Sequence, residues 1–150
     1  MKYFHYARFR IISSTKEDAL YQAESILDLF SQDFKKDTSA FLIEHISQES
    51  DDPLVTHVVI KKHKYLVYLC KYIYDCLSVQ DRQELVQTIQ ERIDDQGMFY
   101  VRLEKENFPK ICTLTQRGNC IHIAIKIAAY PKTKQNAVKT CIEFFKTLEQ

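Results

Sequence analysis

Residues 120–128 read CIHIAIKIA and show the strictest alternation of apolar and polar positions in the chain. An isoleucine stands at every second position from Ile121 to Ile127, which is typical of a β-strand with one buried face. The other side of the same segment carries His122 and Lys126 among small residues. We therefore predict a strand here whose isoleucine side packs on a hydrophobic core.

Other segments of the chain show the same alternation of apolar and polar residues or a run of β-branched residues. They predict further strands over residues 2–12, 40–47, 54–60 and 98–105, and a short strand over 110–116. In the first strand, strict alternation places His5 on the apolar side and Phe4 on the polar side. The acidic stretch at 49–53 separates the second strand from the third.

Apolar residues at a spacing of three to four predict helices between these strands. One begins after the capping box Ser14-Thr15-Lys16-Glu17, one covers 62–77, one runs from the cap at Ser78 to about Asp94 and ends at Gly97, and the last follows Pro131. Each clear strand has one apolar face and each long helix one apolar stripe. We therefore predict an α+β fold, with a single mostly antiparallel sheet and its helices packed on one face, forming one domain over 1–150.

The net charge of +1 over 150 residues hides a strong segregation of charge. Residues 17–52 carry ten acids and two bases, whereas residues 107–142 carry six bases and no acid. This composition excludes a wholly basic histone-like protein, but it does not exclude nucleic-acid binding, since the position of charge matters more than its sum.

Several functional classes lack their sequence signals. There is no apolar run long enough to cross a membrane and no signal-like N-terminus, so we predict a cytoplasmic protein without a membrane partner. The five cysteines form no CxxC pair and are interpreted as small buried residues, so we predict neither a bound metal nor a cofactor.

The sheet face turned away from the helices carries basic and aromatic residues. The candidates are Tyr6, Arg8 and Arg10 on the first strand, Tyr100 and Arg102 on the strand at 98–105, and His122 and Lys126 on the strand at 120–128. Lys132 and Lys134 flank the start of the last helix. Lysine and arginine neutralise phosphates and aromatic rings stack on unpaired bases, so this pattern predicts an RNA-binding surface. The alternative is an ordinary polar sheet face with tyrosines packed across strands.

No assembled catalytic motif is present, and we predict a protein without enzymatic activity. A weaker alternative is a Mg²⁺-dependent nuclease that uses Asp51-Asp52 or Asp94-Asp95, although adjacent residues point apart. Another alternative is a protein-interaction adaptor or homodimer, for which Tyr65, Tyr68 and Tyr72 on one helix face would supply an exposed aromatic surface.

The segment Arg92-Ile93-Asp94-Asp95-Gln96-Gly97, followed by Tyr100-Val101-Arg102-Leu103-Glu104-Lys105, resembles a pattern of a known family. It is similar to the archaeal RNA-binding-domain family described as predicted exosome subunits. The later strand from Asn119 to Tyr130 and the N-terminal strand leading into Thr15 and Glu17 resemble the same family.

This resemblance implies an α+β fold similar to the ribosomal protein that binds the small ribosomal RNA of the large subunit. It also implies RNA binding and association with proteins of an RNA-processing complex. Within the motif itself, we predict that Arg102 and Lys105 contact the ligand. One segment departs from the family: residues 50–57 read SDDPLVTH, where many members have a glycine- and histidine-rich loop. The predicted function is therefore that of a non-catalytic RNA-binding protein, an accessory factor of exosome-type RNA processing.

Overall fold

The computed structural model describes residues 1–30, 36–46 and 54–149. Its strands are β1 (Phe4–Ser13), β2 (Phe41–Ile46), β3 (Leu54–Lys61), β4 (Met98–Glu104) and β5 (Cys120–Ile127). They form one sheet in the order β2-β3-β1-β5-β4, in which every neighbouring pair is antiparallel. The predicted α+β fold with a single antiparallel sheet is confirmed. The acidic stretch at 49–53, which the sequence places between β2 and β3, lies outside the described residues.

The helices pack their apolar sides on one face of this sheet. They are α1 (Lys16–Asp28), α2 (His63–Cys76), α3 (Val79–Gln87), α4 (Ile89–Arg92) and α5 (Lys134–Leu148), with a 3₁₀ turn at Thr38–Ala40. Phe9, Ile123 and Leu69 are among the fully buried side chains that join sheet and helices in one core. In the part of the chain that the structure describes, no helix is long and apolar enough to cross a membrane.

Local signals in the sequence explain where α1, α3 and α5 begin. The Thr15 hydroxyl accepts a hydrogen bond from the Asp18 backbone N–H at 3.1 Å, and Thr133 caps α5 in the same way. Ser78 caps α3 through the Asp81 N–H. Each cap satisfies one of the backbone donors that the first turn of a helix leaves without a partner.

The alternation predicted for the first strand is wrong at its beginning. The pairing of β1 with β5 shifts between Phe4 and Tyr6, which is a β-bulge at His5. The bulge turns Phe4 into the core, where it is fully buried, and leaves His5 only half-buried against the ring of Tyr130. From Tyr6 onward the predicted faces are confirmed.

Two other boundaries also differ from the prediction. The helix predicted to reach Asp94 is broken at Thr88 into α3 and α4, and Gly97 does not cap it. Gly97 instead has φ +77° in a turn that leads from Asp94 into β4, where the left-handed backbone favours glycine. The predicted short strand at 110–116 is a single bridge between Leu114 and Leu103.

The cysteines pack as the sequence indicated. All five are free thiols, of which Cys70, Cys112, Cys120 and Cys141 are buried. Burial raises the pKa of the Cys70 and Cys112 thiols well above the ordinary range, so both stay protonated at neutral pH. They act as small apolar side chains of the core.

Candidate nucleic-acid interface

The sheet face opposite the helices, hereafter the open face, collects most of the predicted site residues. Antiparallel registers place Tyr6 beside Lys126, Arg8 across Ala124 from Tyr100, and Arg10 across His122 from Arg102. The structure thus brings together seven candidates that come from three strands. These are Tyr6, Arg8, Arg10, Tyr100, Arg102, His122 and Lys126.

Three arginines lie exposed on the open face. Arg8 and Arg10 come from β1 and Arg102 from β4, because alternate residues of a strand point to the same side. Among the described residues, no hydrogen-bond acceptor or ion-pair partner is recorded for any of the three guanidinium groups. Guanidinium groups without an internal partner can bind phosphate oxygens in a bidentate manner.

Two tyrosines lie among these arginines. Tyr6 is 37% exposed and Tyr100 is 41% exposed, so part of each ring meets solvent. Their hydroxyl groups are held: that of Tyr6 lies 3.7 Å from the Met98 sulfur, and that of Tyr100 donates to an Asp94 carboxylate oxygen at 2.8 Å. Rings fixed in this way are suited to stacking with an unpaired base.

Asp94 organises the turn before β4. Its carboxylate is occupied by hydrogen bonds within the fold and does not form a metal-binding pair with that of Asp95. One of its carboxylate oxygens accepts the backbone N–H groups of Gln96 and Met98, at 2.9 and 3.0 Å, while the other accepts the Tyr100 hydroxyl. Partial burial alone would raise the pKa of Asp94, but these hydrogen bonds outweigh it and lower the pKa. In the described ranges, no cluster of three or more His, Cys, Asp or Glu side chains could hold a metal ion.

Arg92 lies close in the chain to Asp94 and Asp95, but its guanidinium group contacts other residues. Its Nε donates to the Thr88 hydroxyl at 2.7 Å, and Nη1 lies 3.5 Å from the Tyr100 carbonyl oxygen. Partial burial lowers the pKa of Arg92. Arg92 therefore connects the broken helix to the edge of β4 as a structural residue.

The remaining predicted lysines lie away from the centre of the open face. Lys126 donates to the Gln96 carbonyl, and it lines a hollow with Lys132 beside the beginning of α5. Lys132 is exposed, and Lys134 is the first residue of α5 and is half-buried. These lysines make one end of the sheet basic. The pKa of His5 at this end is lowered, mainly by partial burial and also by the positive charges of Lys2, Lys132 and Lys126.

Lys105 does not join the open face. Its ammonium group binds an Asp18 carboxylate oxygen at 2.5 Å and the Ile12 carbonyl oxygen at 3.0 Å, and its side chain is only 13% exposed. The ion pair ties the beginning of α1 to the end of β4. The sequence offered no sign of this pairing, because Asp18 and Lys105 are far apart along the chain.

Two open-face residues escaped the sequence-based prediction. His57 pairs with Arg10 and Lys61 pairs with Tyr6, since β3 lies directly beside β1. The missed signal is the alternation of Val55, His57, Val59 and Lys61 within a segment that appears simply β-branched.

The tyrosines of α2 mostly belong to the core. Tyr65 is buried against Phe30 and Phe41, and the Tyr72 hydroxyl donates to the Pro109 carbonyl oxygen at 2.7 Å. Tyr68 alone of the three is exposed, at 47%. The exposed aromatic helix face expected of a protein-interaction adaptor is therefore absent from α2.

Comparisons with known proteins agree with this architecture. The chain is 27% identical over 142 residues to "RNA-binding protein PAB1135" of Pyrococcus abyssi, covering 93% of this chain and 92% of the relative. Among solved structures, it is similar to AF2318 from Archaeoglobus fulgidus, with a TM-score of 0.70, 20% identity and coverage of 96% and 98% of the two chains. It is also similar to Mth689, a DUF54 protein from Methanothermobacter thermautotrophicus, with a TM-score of 0.67, 17% identity and coverage of 95% and 98%.

The two structural likenesses concern the fold, whereas a match to a family model concerns the sequence itself. The family model described as "RNA binding" matches residues 6–127. This range begins at Tyr6 in β1 and ends at Ile127, the last residue of β5. This chain therefore belongs to that RNA-binding family.

Proposed function

We propose that the protein binds RNA through the open face of its sheet, with Arg8, Arg10 and Arg102 on phosphates and Tyr6 and Tyr100 against bases. The observation that carries this proposal is the set of three exposed guanidinium groups, for which no internal acceptor is recorded among the described residues, beside two half-exposed rings. Phosphate contacts supply most of the affinity, and stacking favours unpaired bases. Single-stranded RNA is therefore the preferred ligand.

A filter-binding titration with single-stranded and structured RNA at two salt concentrations tests this proposal. Arg10→Ala combined with Arg102→Ala should weaken binding, because two phosphate contacts are lost. The slope of log K against log salt should become shallower by about 0.7 for each lost contact with a single strand. Tyr6→Ala should weaken binding by about 5- to 150-fold through the loss of one stacking contact.

The matched control is the combination of Lys71→Ala and Lys139→Ala. Both lysines are exposed on helices, on the other side of the molecule, and their removal changes the net charge by the same amount. This control should bind RNA almost as well as the wild type. Absence of RNA binding at low salt, or an equal loss in the control, would contradict the proposal.

Lys132 and the basic end of the sheet extend the proposed surface, with Lys134 at its margin. We assign Lys105 to the fold and not to the ligand, because its ammonium group is engaged with Asp18 and Ile12. The proposed role is non-catalytic: the whole chain acts as one RNA-binding domain.

We further propose, from the family resemblance, that the protein is an accessory factor of exosome-type RNA processing. The same resemblance leads us to propose that its fold is similar to that of the ribosomal protein that binds the small ribosomal RNA of the large subunit. The relation to RNA degradation is testable with purified components. The expected result is a change in the rate at which an exosome-type complex degrades a bound RNA, and that change should disappear in the Arg10→Ala/Arg102→Ala variant. An unchanged rate with RNA-saturating protein would contradict this role.

A further inference from the structure

One row of side chains crosses the open face at right angles to the strands. The registers align Glu44 of β2, His57 of β3, Arg10 of β1, His122 of β5 and Arg102 of β4. Neighbouring strands lie about 4.8 Å apart, so the row extends over about 19 Å. Apart from Glu44 at the β2 edge, every member is cationic or becomes cationic on protonation.

The two histidines of this row each lie next to arginine. Partial burial, then Arg8 and Arg10 on β1, lower the pKa of His57, whereas Glu44 on β2 raises it. Partial burial, then Arg102 on β4 and Arg10 on β1, lower the pKa of His122. Both imidazoles are therefore mainly neutral at neutral pH when no ligand is present.

A phosphate placed over this row would change that balance. Its negative charge offsets the repulsion between imidazolium and guanidinium, and it accepts hydrogen bonds from both kinds of group. We propose that His57, Arg10, His122 and Arg102 form a phosphodiester track across the sheet, and that RNA bound along it charges both histidines. The proposal rests on the RNA-binding function above and adds the path of the RNA backbone and a new contact, His57.

The sign of the pH dependence follows from linkage. If RNA binding favours protonated His57 and His122, the complex takes up protons and affinity rises as the pH falls. Each histidine whose pKa rises by one unit on binding adds up to about tenfold in affinity at low pH. The salt dependence should also become steeper, by about 0.7 in the slope of log K against log salt for each histidine that becomes charged.

The test uses the full chain and an oligouridylate, whose bases do not titrate in this range. Binding is measured at several salt concentrations between about pH 7.5 and about pH 5.5, where unperturbed histidine titrates. The variants are His57→Gln, His122→Gln and their combination, with folding checked by circular dichroism at each pH. His45→Gln is the matched control, since His45 lies on the other side of the sheet and contacts the Thr56 hydroxyl.

The wild type and His45→Gln should bind more tightly at low pH with a steeper salt slope, and the double variant should lose most of both effects. RNA binding without this pH effect, or with an effect that persists in the folded double variant, would overturn the track. Failure of the proposed function would give a different result. RNA would then not bind at any pH, or its affinity would be the same for the wild type and for the Arg10→Ala/Arg102→Ala variant.

A second measurement needs no variant. The imidazole signals of the wild-type protein are titrated by NMR with and without oligouridylate. The pKa values of His57 and His122 should rise when RNA is bound. Unchanged values for both row histidines in an RNA-saturated sample would overturn the proposal.

Discussion

At the scale of single residues, the carboxylate of Asp94 holds in place the turn that precedes β4 and the Tyr100 ring of the open face. It accepts two backbone N–H groups and the hydroxyl of Tyr100, a ring that we assign to base stacking. Asp94→Ala should lower the free energy of unfolding by about 1–3 kcal/mol, because it leaves these donors without an acceptor. Urea denaturation followed by circular dichroism measures this loss.

The adjacent carboxylate provides the control. Asp95 is exposed, and among the described residues no hydrogen bond to its side chain is recorded. Asp95→Ala should therefore change the free energy of unfolding by less than about 0.5 kcal/mol, as for most surface substitutions. Equal losses in the two variants would show that Asp94 does not have this structural role.

At the scale of elements, Lys105 connects three pieces of the fold. Its ammonium group contacts the carboxylate of Asp18 in α1 and the Ile12 carbonyl in β1. Lys105 itself follows directly after the last residue of β4. The hydrogen bond from Lys105 is the main reason why the pKa of Asp18 is lowered. This contact restrains α1 against the strand that carries Arg8 and Arg10.

Lys105→Met should therefore reduce stability and leave RNA affinity almost unchanged. The expected loss is about 1.5–3 kcal/mol, the usual size for hydrogen bonds to charged groups. Denaturation and filter binding on the same preparation measure the two quantities. Lys110→Met is the control, because Lys110 is an exposed lysine of the same loop region. If Lys105→Met weakens RNA binding at unchanged stability, the assignment of Lys105 to the fold is wrong.

At the scale of the whole molecule, four histidines link stability to pH. Partial burial lowers the pKa values of His5, His57, His63 and His122, in each case with help from nearby positive charges. His63 also accepts the Tyr3 backbone N–H on Nε2 at 2.9 Å, which requires that this nitrogen carry no proton. The folded state thus binds fewer protons than the unfolded state between the lowered values and the ordinary value of 6.5.

The sign of the stability change follows directly. The stabilisation is fully present above the unfolded pKa near 6.5 and is lost as the pH falls through the lower folded-state values. The free energy of unfolding should therefore decrease from about pH 7 to about pH 5. Urea titrations at unit pH intervals measure this decrease, and a constant or rising stability over that interval would contradict it. Bound RNA should reduce the decrease, if it charges His57 and His122.

The sequence predicted much of this molecule because the relevant signals are local. Alternating isoleucines place β5 and its buried side, and the caps at Thr15 and Ser78 mark helix beginnings through contacts three residues away. The same local alternation placed Tyr100 and Arg102 on one side of β4. It failed at His5, because a bulge depends on the neighbouring strand and leaves no mark in the alternation itself.

Apart from the bulge at His5, what the sequence by itself determined is therefore which residues share a face within a strand or helix, since the backbone geometry of an element sets that face. Only the tertiary structure decided which residues of different strands lie side by side. The alignment of His57, Arg10, His122 and Arg102 depends on the registers of β3, β1, β5 and β4. The engagement of Lys105 with Asp18 likewise depends on where α1 packs. Register and packing arise from contacts between residues distant in the chain, and for that reason the candidate RNA track appears only in the folded sheet.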